Sequence, residues 1–244
     1  MLAYINQRYN LDRFLPFNIV PRYAGIAFER QCPAFMELIG TLEKGLTEYS
    51  YEGRWNGTKC ADRRMMYFSK PVDRSNLVSI LNDFWNRVLL DVLRHQKKDI
   101  IVEDNTWSNL FFDTILELMP NAKLVNVVRD PRDIIASYIK MRWAPKDTAQ
   151  AVNWFKGIHK QWYNVRSRVD PNCFIEVKLE DLVKHTELTL RLICEFWDIE
   201  WHPNLLITDL SKSNTGRWKI EFSDKEKLFL EGSLETELIE TGYV

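Results

Sequence analysis

Apolar residues recur along this chain with two textures, and the change falls near residue 99. Between Asp73 and His95, the residues Leu77, Ile80, Leu81, Phe84, Val88, Leu89 and Val92 follow largely at three- and four-residue steps. That spacing gathers them on one face and predicts a long amphipathic helix, with Asp73 or Ser75 as its cap. A shorter helical pattern covers residues 34–44 through Phe35, Leu38, Ile39 and Leu42. The rest of the first seventy residues carries little periodicity, and residues 53–59 read as a loop.

Beyond residue 99 short apolar runs alternate with helical patterns. Residues 99–103 (Asp-Ile-Ile-Val-Glu), 123–128 (Lys-Leu-Val-Asn-Val-Val) and 173–177 read as buried strands. Helices are predicted over 108–119, stopped by Pro120-Asn121, then from about 133 to 141, over 148–169, 188–198 and 224–239. Residues 211–218 read as a loop. Strands separated by helices pair in parallel and are covered on both faces. The expected class is therefore α/β, a three-layer, mostly parallel sheet flanked by helices. Right-handed crossovers then gather the loops that follow each strand at one edge, where such sheets bind ligands.

Composition narrows the function without choosing it. A chain of 244 residues buries roughly 70–75 % of its unfolded surface, so no metal or disulfide staple is needed. Lys and Arg total 33 against 34 Asp and Glu, a net charge of −1, so no global basic field points to nucleic acid. The four cysteines, Cys32, Cys60, Cys173 and Cys194, show no metal-ligand spacing and read as reduced buried thiols in a reducing, cytoplasmic location. No run reaches the length of a membrane span, and residues 1–10 do not read as a signal peptide. Asn56-Gly57-Thr58 matches a glycosylation triplet, a pattern common by chance. The nine tryptophans read first as core anchors. Trp143, Trp154, Phe155, Trp162 and Tyr163 also carry the alternative of stacking on a sugar or aromatic ring. The pattern carries no reading of oligomeric state.

The densest chemical signal is Val127-Val128-Arg129-Asp130-Pro131-Arg132-Asp133, followed by Ser137. The strand delivers Arg129 to the ligand edge. Pro131 suits a helix entrance, and Asp133 serves as cap or first-turn acid. A guanidinium and a hydroxyl eight residues apart can grip one phosphate. The competing reading makes Arg129, Asp130, Arg132 and Asp133 a surface ion-pair cluster.

Further segments bear on that choice. Val102–Trp107, Met119–Lys123, Val177–Leu182, Leu192–Trp197, Ser213–Lys219 and Thr241–Tyr243 follow in an order and spacing that, with the Arg129 segment, resembles the sulfotransferase family using 3′-phosphoadenosine-5′-phosphosulfate (PAPS). The resemblance runs over residues 99–244. It implies one domain over 1–244 with a P-loop-like fold: a mostly helical acceptor-side part, 1–98, and a nucleotide-binding core, 99–244. It also implies transfer of a sulfuryl group from PAPS to a hydroxyl or amine of a small molecule or carbohydrate, without metal. Carried over by residue, Arg129 and Ser137 would hold the 3′-phosphate. Gly216, Arg217 and Lys219 would close over it, with Trp218 anchoring that loop in the core.

The family's opening Pro-[Lys/Arg]-Ser-Gly-Thr-Thr loop has no good copy here. Ile19–Gly25 offers Pro21, Arg22 and Gly25 without the hydroxyls, and Gly53–Lys59 is a fainter candidate. Three explanations compete: the loop lies upstream of Met1, Arg22 and its neighbours form a degenerate loop, or catalysis was lost and binding kept. The first predicts a poorly stable chain unless its missing strand comes from elsewhere. Asp104 also stands where relatives often place a lysine. Glu103 and Asp104, at a strand end on the ligand edge, are the candidate bases for the acceptor proton, with Glu29 as an outside candidate. His95, His159, His185 and His202 read as surface or core residues. A nucleotide-binding module without turnover is the rival function. A small-molecule kinase lacks its Gly-Lys-Ser/Thr signature.

Overall fold

The computed structural model describes residues 30–53, 64–105, 107–210 and 213–244. Arg22, Glu29, Cys60, the segment 19–25 and most of 53–59 lie outside the described residues. The chain divides into two compact units, Met1–Asp104 and Asn105–Val244.

In the first unit, α1 (Phe35–Leu46) and α2 (Arg74–Gln96) carry the two helical patterns of the sequence. Asp73 caps α2 by accepting the Asn76 N–H at 2.9 Å, and Lys97 closes it in a left-handed conformation. Their apolar faces meet through Phe35, Ile39, Phe84 and Val88, with Cys32 buried beside them. Burial, and then the neighbouring Asp91, push the Cys32 thiol up to about 12. This thiol is therefore a buried core residue, as the sequence implied. Between the helices, β1 (Thr47–Gly53) and β2 (Arg64–Ser69) form an antiparallel pair. Sequence reading missed this hairpin, although Tyr49 and Tyr51 alternate with polar neighbours at strand period.

Residues 99–105 form no regular element, and Ile100, Ile101 and Val102 are exposed. The strand expected over 99–103 is thus absent. A short apolar run becomes a strand only when a neighbour takes its backbone N–H and C=O groups, and no described strand pairs with it.

The second unit holds β3 (Leu124–Val128) and β4 (Phe174–Lys178), parallel and in register from Leu124↔Phe174 to Val128↔Lys178. A parallel pair needs a crossover, here α4 (Pro131–Tyr138) and α5 (Thr148–Arg166). A 3₁₀ turn (Ser108–Phe111) and α3 (Phe112–Leu118) precede the pair. After it come α6 (Leu179–Lys184), α7 (Thr186–Trp197), α8 (Trp218–Glu221), α9 (Asp224–Ser233) and α10 (Glu235–Thr241). This is the expected α/β class with a parallel sheet and flanking helices; among the described residues the parallel sheet has two strands rather than three.

Two apolar clusters hold the unit together. Ile135, Ala151, Phe155, Leu230, Leu234 and Leu238 join α4 and α5 to α9 and α10. Leu110, Phe112, Trp162 and Val165 pack with Leu124 and Phe174 of the strands. The helix expected over 224–239 is broken at Leu234, which is fully buried and begins the next helical turn.

Candidate functional site

β3 ends at Val128, so Arg129 is the first residue past the strand. Asp130 then caps α4: its side chain accepts the Arg132 N–H at 2.9 Å, and Pro131 fills the first helical position. The cap is thus Asp130, and Asp133 takes the other expected place, an acid in the first turn. Asp130 also accepts from the Arg132 guanidinium at 2.8 Å, and that guanidinium lies 3.9 Å from the centre of the Trp218 ring. The ion-pair reading holds for both pairs, Arg132 with Asp130 at 2.8 Å and Arg129 with Asp133 at 3.4 Å, but these side chains are largely buried rather than on the surface. Trp218 is 7 % exposed, the core anchor the sequence suggested.

Asp133 has a different task. Its carboxylate is fully buried, and it binds the loop before α8. The Gly216 N–H donates to Oδ2 at 2.6 Å and the Trp218 N–H to Oδ1 at 2.9 Å. Arg129 Nη2 stands 3.4 Å from Oδ2 and also donates to the Asn214 carbonyl. A buried charge persists only when paired and hydrogen-bonded, and these donors meet that need. Gly216 lies at φ 76°, where a side chain would strain the backbone, although a Cβ there would meet nothing within 4 Å. Asp133 thus draws a loop more than eighty residues away in sequence onto the start of α4. An acid four residues after Arg129 was the available signal, and a reading of it as a cap or first-turn acid, local to the helix, hid the role.

Arg129 is the incompletely used member. Its side chain is 16 % exposed, and its Nε is buried with no hydrogen-bond partner among the described residues. A buried donor left unpaired costs about 1–3 kcal/mol. The Ser137 hydroxyl, one turn beyond Asp133 and half-buried, also makes no hydrogen bond to a described residue. A guanidinium with a spare N–H is chemically suited to an anion such as phosphate, whereas the loop N–H groups of Gly216 and Trp218 are already spent on Asp133.

The other sequence candidates separate. Gly216 joins Arg129 through Asp133. The Arg217 guanidinium turns to Glu221 at 2.9 Å, and Glu221 also takes Lys140 at 2.6 Å. Those two cations hold the Glu221 carboxyl below the usual carboxylate range. Lys219 is exposed, its Nζ 5.8 Å from the Trp218 ring centre. Glu103 and Asp104 belong to the first unit, exposed on its irregular final segment. The aromatic candidates divide too. Phe155 and Trp162 are core residues, whereas Trp143 and Trp154 join Trp107 and Tyr138 in a ring cluster with centroids 4.9–6.3 Å apart. Trp143 is 59 % exposed there.

The fold is that of an α/β protein, with Arg129 and its unpartnered Nε at the carboxyl end of a parallel strand. A family model described as the sulfotransferase family matches residues 25–203, and the chain belongs to that family. Protein-tyrosine sulfotransferase A of Caenorhabditis elegans is 34 % identical over 113 residues, 41 % of this chain and 30 % of the relative. The chain therefore spans under a third of that relative's length. The sulfotransferase domain from the curacin biosynthetic pathway is a structural neighbour at TM-score 0.43 and 18 % identity, over 54 % of this chain and 52 % of its own. Among the described residues no helix is long and apolar enough to cross a membrane, and no group of His, Cys, Asp or Glu could hold a metal ion.

Proposed function

We propose that this chain binds PAPS through Arg129 and Ser137 and transfers its sulfuryl group to a hydroxyl or amine of a small molecule or carbohydrate. The observation that carries this reading is the buried, unpartnered Nε of Arg129 beside a carboxylate-clamped loop. A dianionic 3′-phosphate would supply the missing acceptor, and the Ser137 hydroxyl would add a donor. Gly216 would bring the loop backbone close, while Arg217 and Lys219 contribute positive charge at its rim. Arg22 remains the candidate for the 5′ side.

PAPS supplies the activated sulfuryl group. The chain's part is to hold the donor, orient the acceptor and accept a proton, a role assigned to Glu103 or Asp104. The half-exposed rings of Trp143 and Trp154 offer a stacking surface for the acceptor. The Caenorhabditis elegans relative acts, by its name, on protein tyrosine, which adds a phenol to the acceptors worth assaying. A cytoplasmic location is part of the same proposal.

Calorimetry with adenosine 3′,5′-bisphosphate, followed by a PAPS turnover assay over a panel of hydroxyl and amine acceptors, tests the reading. Binding with turnover is expected, and Glu103→Gln combined with Asp104→Asn should abolish turnover while sparing binding. Binding without turnover would make the chain a nucleotide-binding module. No binding would reject the site.

A further inference from the structure

The peptide that follows Arg129 is held by residues outside the loop clamp. Because β3 ends at Val128, the Asp130 N–H that follows Arg129 has no ladder partner. It donates instead to Glu180 Oε1 at 3.2 Å, across from the end of β4. The second oxygen of the same carboxylate, Oε2, accepts from the Tyr243 hydroxyl. Glu180 therefore spans from the backbone beside Arg129 to a phenol sixty-three residues later.

Tyr243 and the Gly242 before it are themselves held in place. Its N–H donates to Leu238 O at 2.8 Å, closing α10 through a left-handed Gly242. Lys178, the residue paired with Val128 across the sheet, donates to Gly242 O at 2.6 Å. The Lys178 ammonium also lies 4.6 Å from the centre of the Tyr243 ring. That ring packs against the cluster that buries Ile135 and Leu238. A half-buried Glu180 carboxylate released by the phenol would have to find other partners, and the Asp130 N–H would lose a fixed acceptor.

We propose that Tyr243 is a positioning residue for Arg129, acting through Glu180 to fix the peptide that delivers the guanidinium to its anion. The inference rests on the assignment of Arg129 to the nucleotide 3′-phosphate. Burial and the Glu180 charge push the Tyr243 phenol up, so the hydroxyl stays a donor across the working pH range.

The test uses the full chain, adenosine 3′,5′-bisphosphate as probe and Tyr243→Phe, which removes the hydroxyl and keeps the ring. Affinity should fall about three- to tenfold, the loss typical of one hydrogen bond. Hydrogen exchange at the Asp130 amide should quicken by a similar factor, while the Leu230 amide in α9 stays unchanged. In an Arg129→Lys background the same substitution should cost almost nothing further, because the geometry it protects is already gone. Glu180→Gln, which keeps an oxygen for the Asp130 N–H, should retain most of the affinity that Glu180→Ala loses. An unmoved Asp130 amide, or an equal loss in both Arg129 backgrounds, overturns the positioning role and leaves the nucleotide reading standing. Arg129→Lys binding as tightly as the parent overturns that reading, and this inference with it.

Discussion

Two carboxylates in the second unit each gather three donors, yet they belong to different kinds of site. Glu176 on β4 accepts from Trp162 Nε1 at 2.8 Å, Asn126 Nδ2 at 3.2 Å and Arg166 Nη1 at 2.7 Å. Asp133 on α4 accepts from two loop N–H groups and stands beside Arg129. Glu176 keeps 24 % of its side chain exposed; Asp133 has none. The unpaired polar atoms beside them also differ. Next to Asn126 it is the amide oxygen of Asn109, an acceptor, which offers an anion nothing. Next to Asp133 it is a guanidinium N–H, which attracts one. The lesson is that donor count does not mark a candidate ligand site; the proposal at Arg129 rests on the sign and identity of the atom left over.

That contrast can be broken at either end. The largest effect is expected for Asp133→Ala, which strands two loop N–H groups and uncouples Arg129. Breaking a buried pair this way costs about 3–5 kcal/mol, and urea unfolding should show it together with lost nucleotide binding. A change below about 1 kcal/mol would mean the clamp is not formed in solution. Next comes Arg129→Ala, with nucleotide affinity down about ten- to a hundredfold by calorimetry and a loss of stability beside it, since the buried Asp133 carboxylate loses its cation. Equal affinity would remove Arg129 from the site. Glu176→Gln should instead cost about 1–2 kcal/mol of stability while affinity holds. A loss of binding there would erase the distinction between the two networks.

The smallest effect concerns pH. His159 lies between Phe155 and Tyr163, with Nε2 buried and unpartnered among the described residues. Burial lowers its pKa below the usual 6.5, against the opposing pull of Glu240, Glu237 and Glu176 and with a minor push from Arg166. The folded state then binds a proton less readily than the unfolded state. Its contribution is complete above pH 6.5 and is lost as pH falls through the lowered value. Unfolding followed from pH 7.5 to 5 should show this decline, and His159→Gln should flatten it. An unchanged profile would show that His159 is not buried in its neutral form.

The sequence exposed those parts whose burial is local. The face of α2 and its Asp73 cap, the two strands flanking the crossover, and Pro131 at a helix entrance all follow from spacing and backbone chemistry. Residues 99–103 failed because an apolar run says nothing about whether a neighbour offers hydrogen bonds. The Tyr49–Phe68 hairpin went unread because its alternating residues are aromatic and polar rather than aliphatic. Arg129 was visible as a strand-end cation, but the Asp133 clamp depends on a loop whose approach only tertiary structure reveals.

The long reach of that clamp has a bearing on biosynthesis. Its two strongest contacts join positions 83 and 85 residues apart, so the corner around Arg129 cannot close until the segment through Trp218 has been made. A nascent chain halted before that point would carry the Arg129 motif without a mate for its buried acid. The proposed competence to hold a nucleotide should therefore emerge late in translation, as a step rather than a gradual gain.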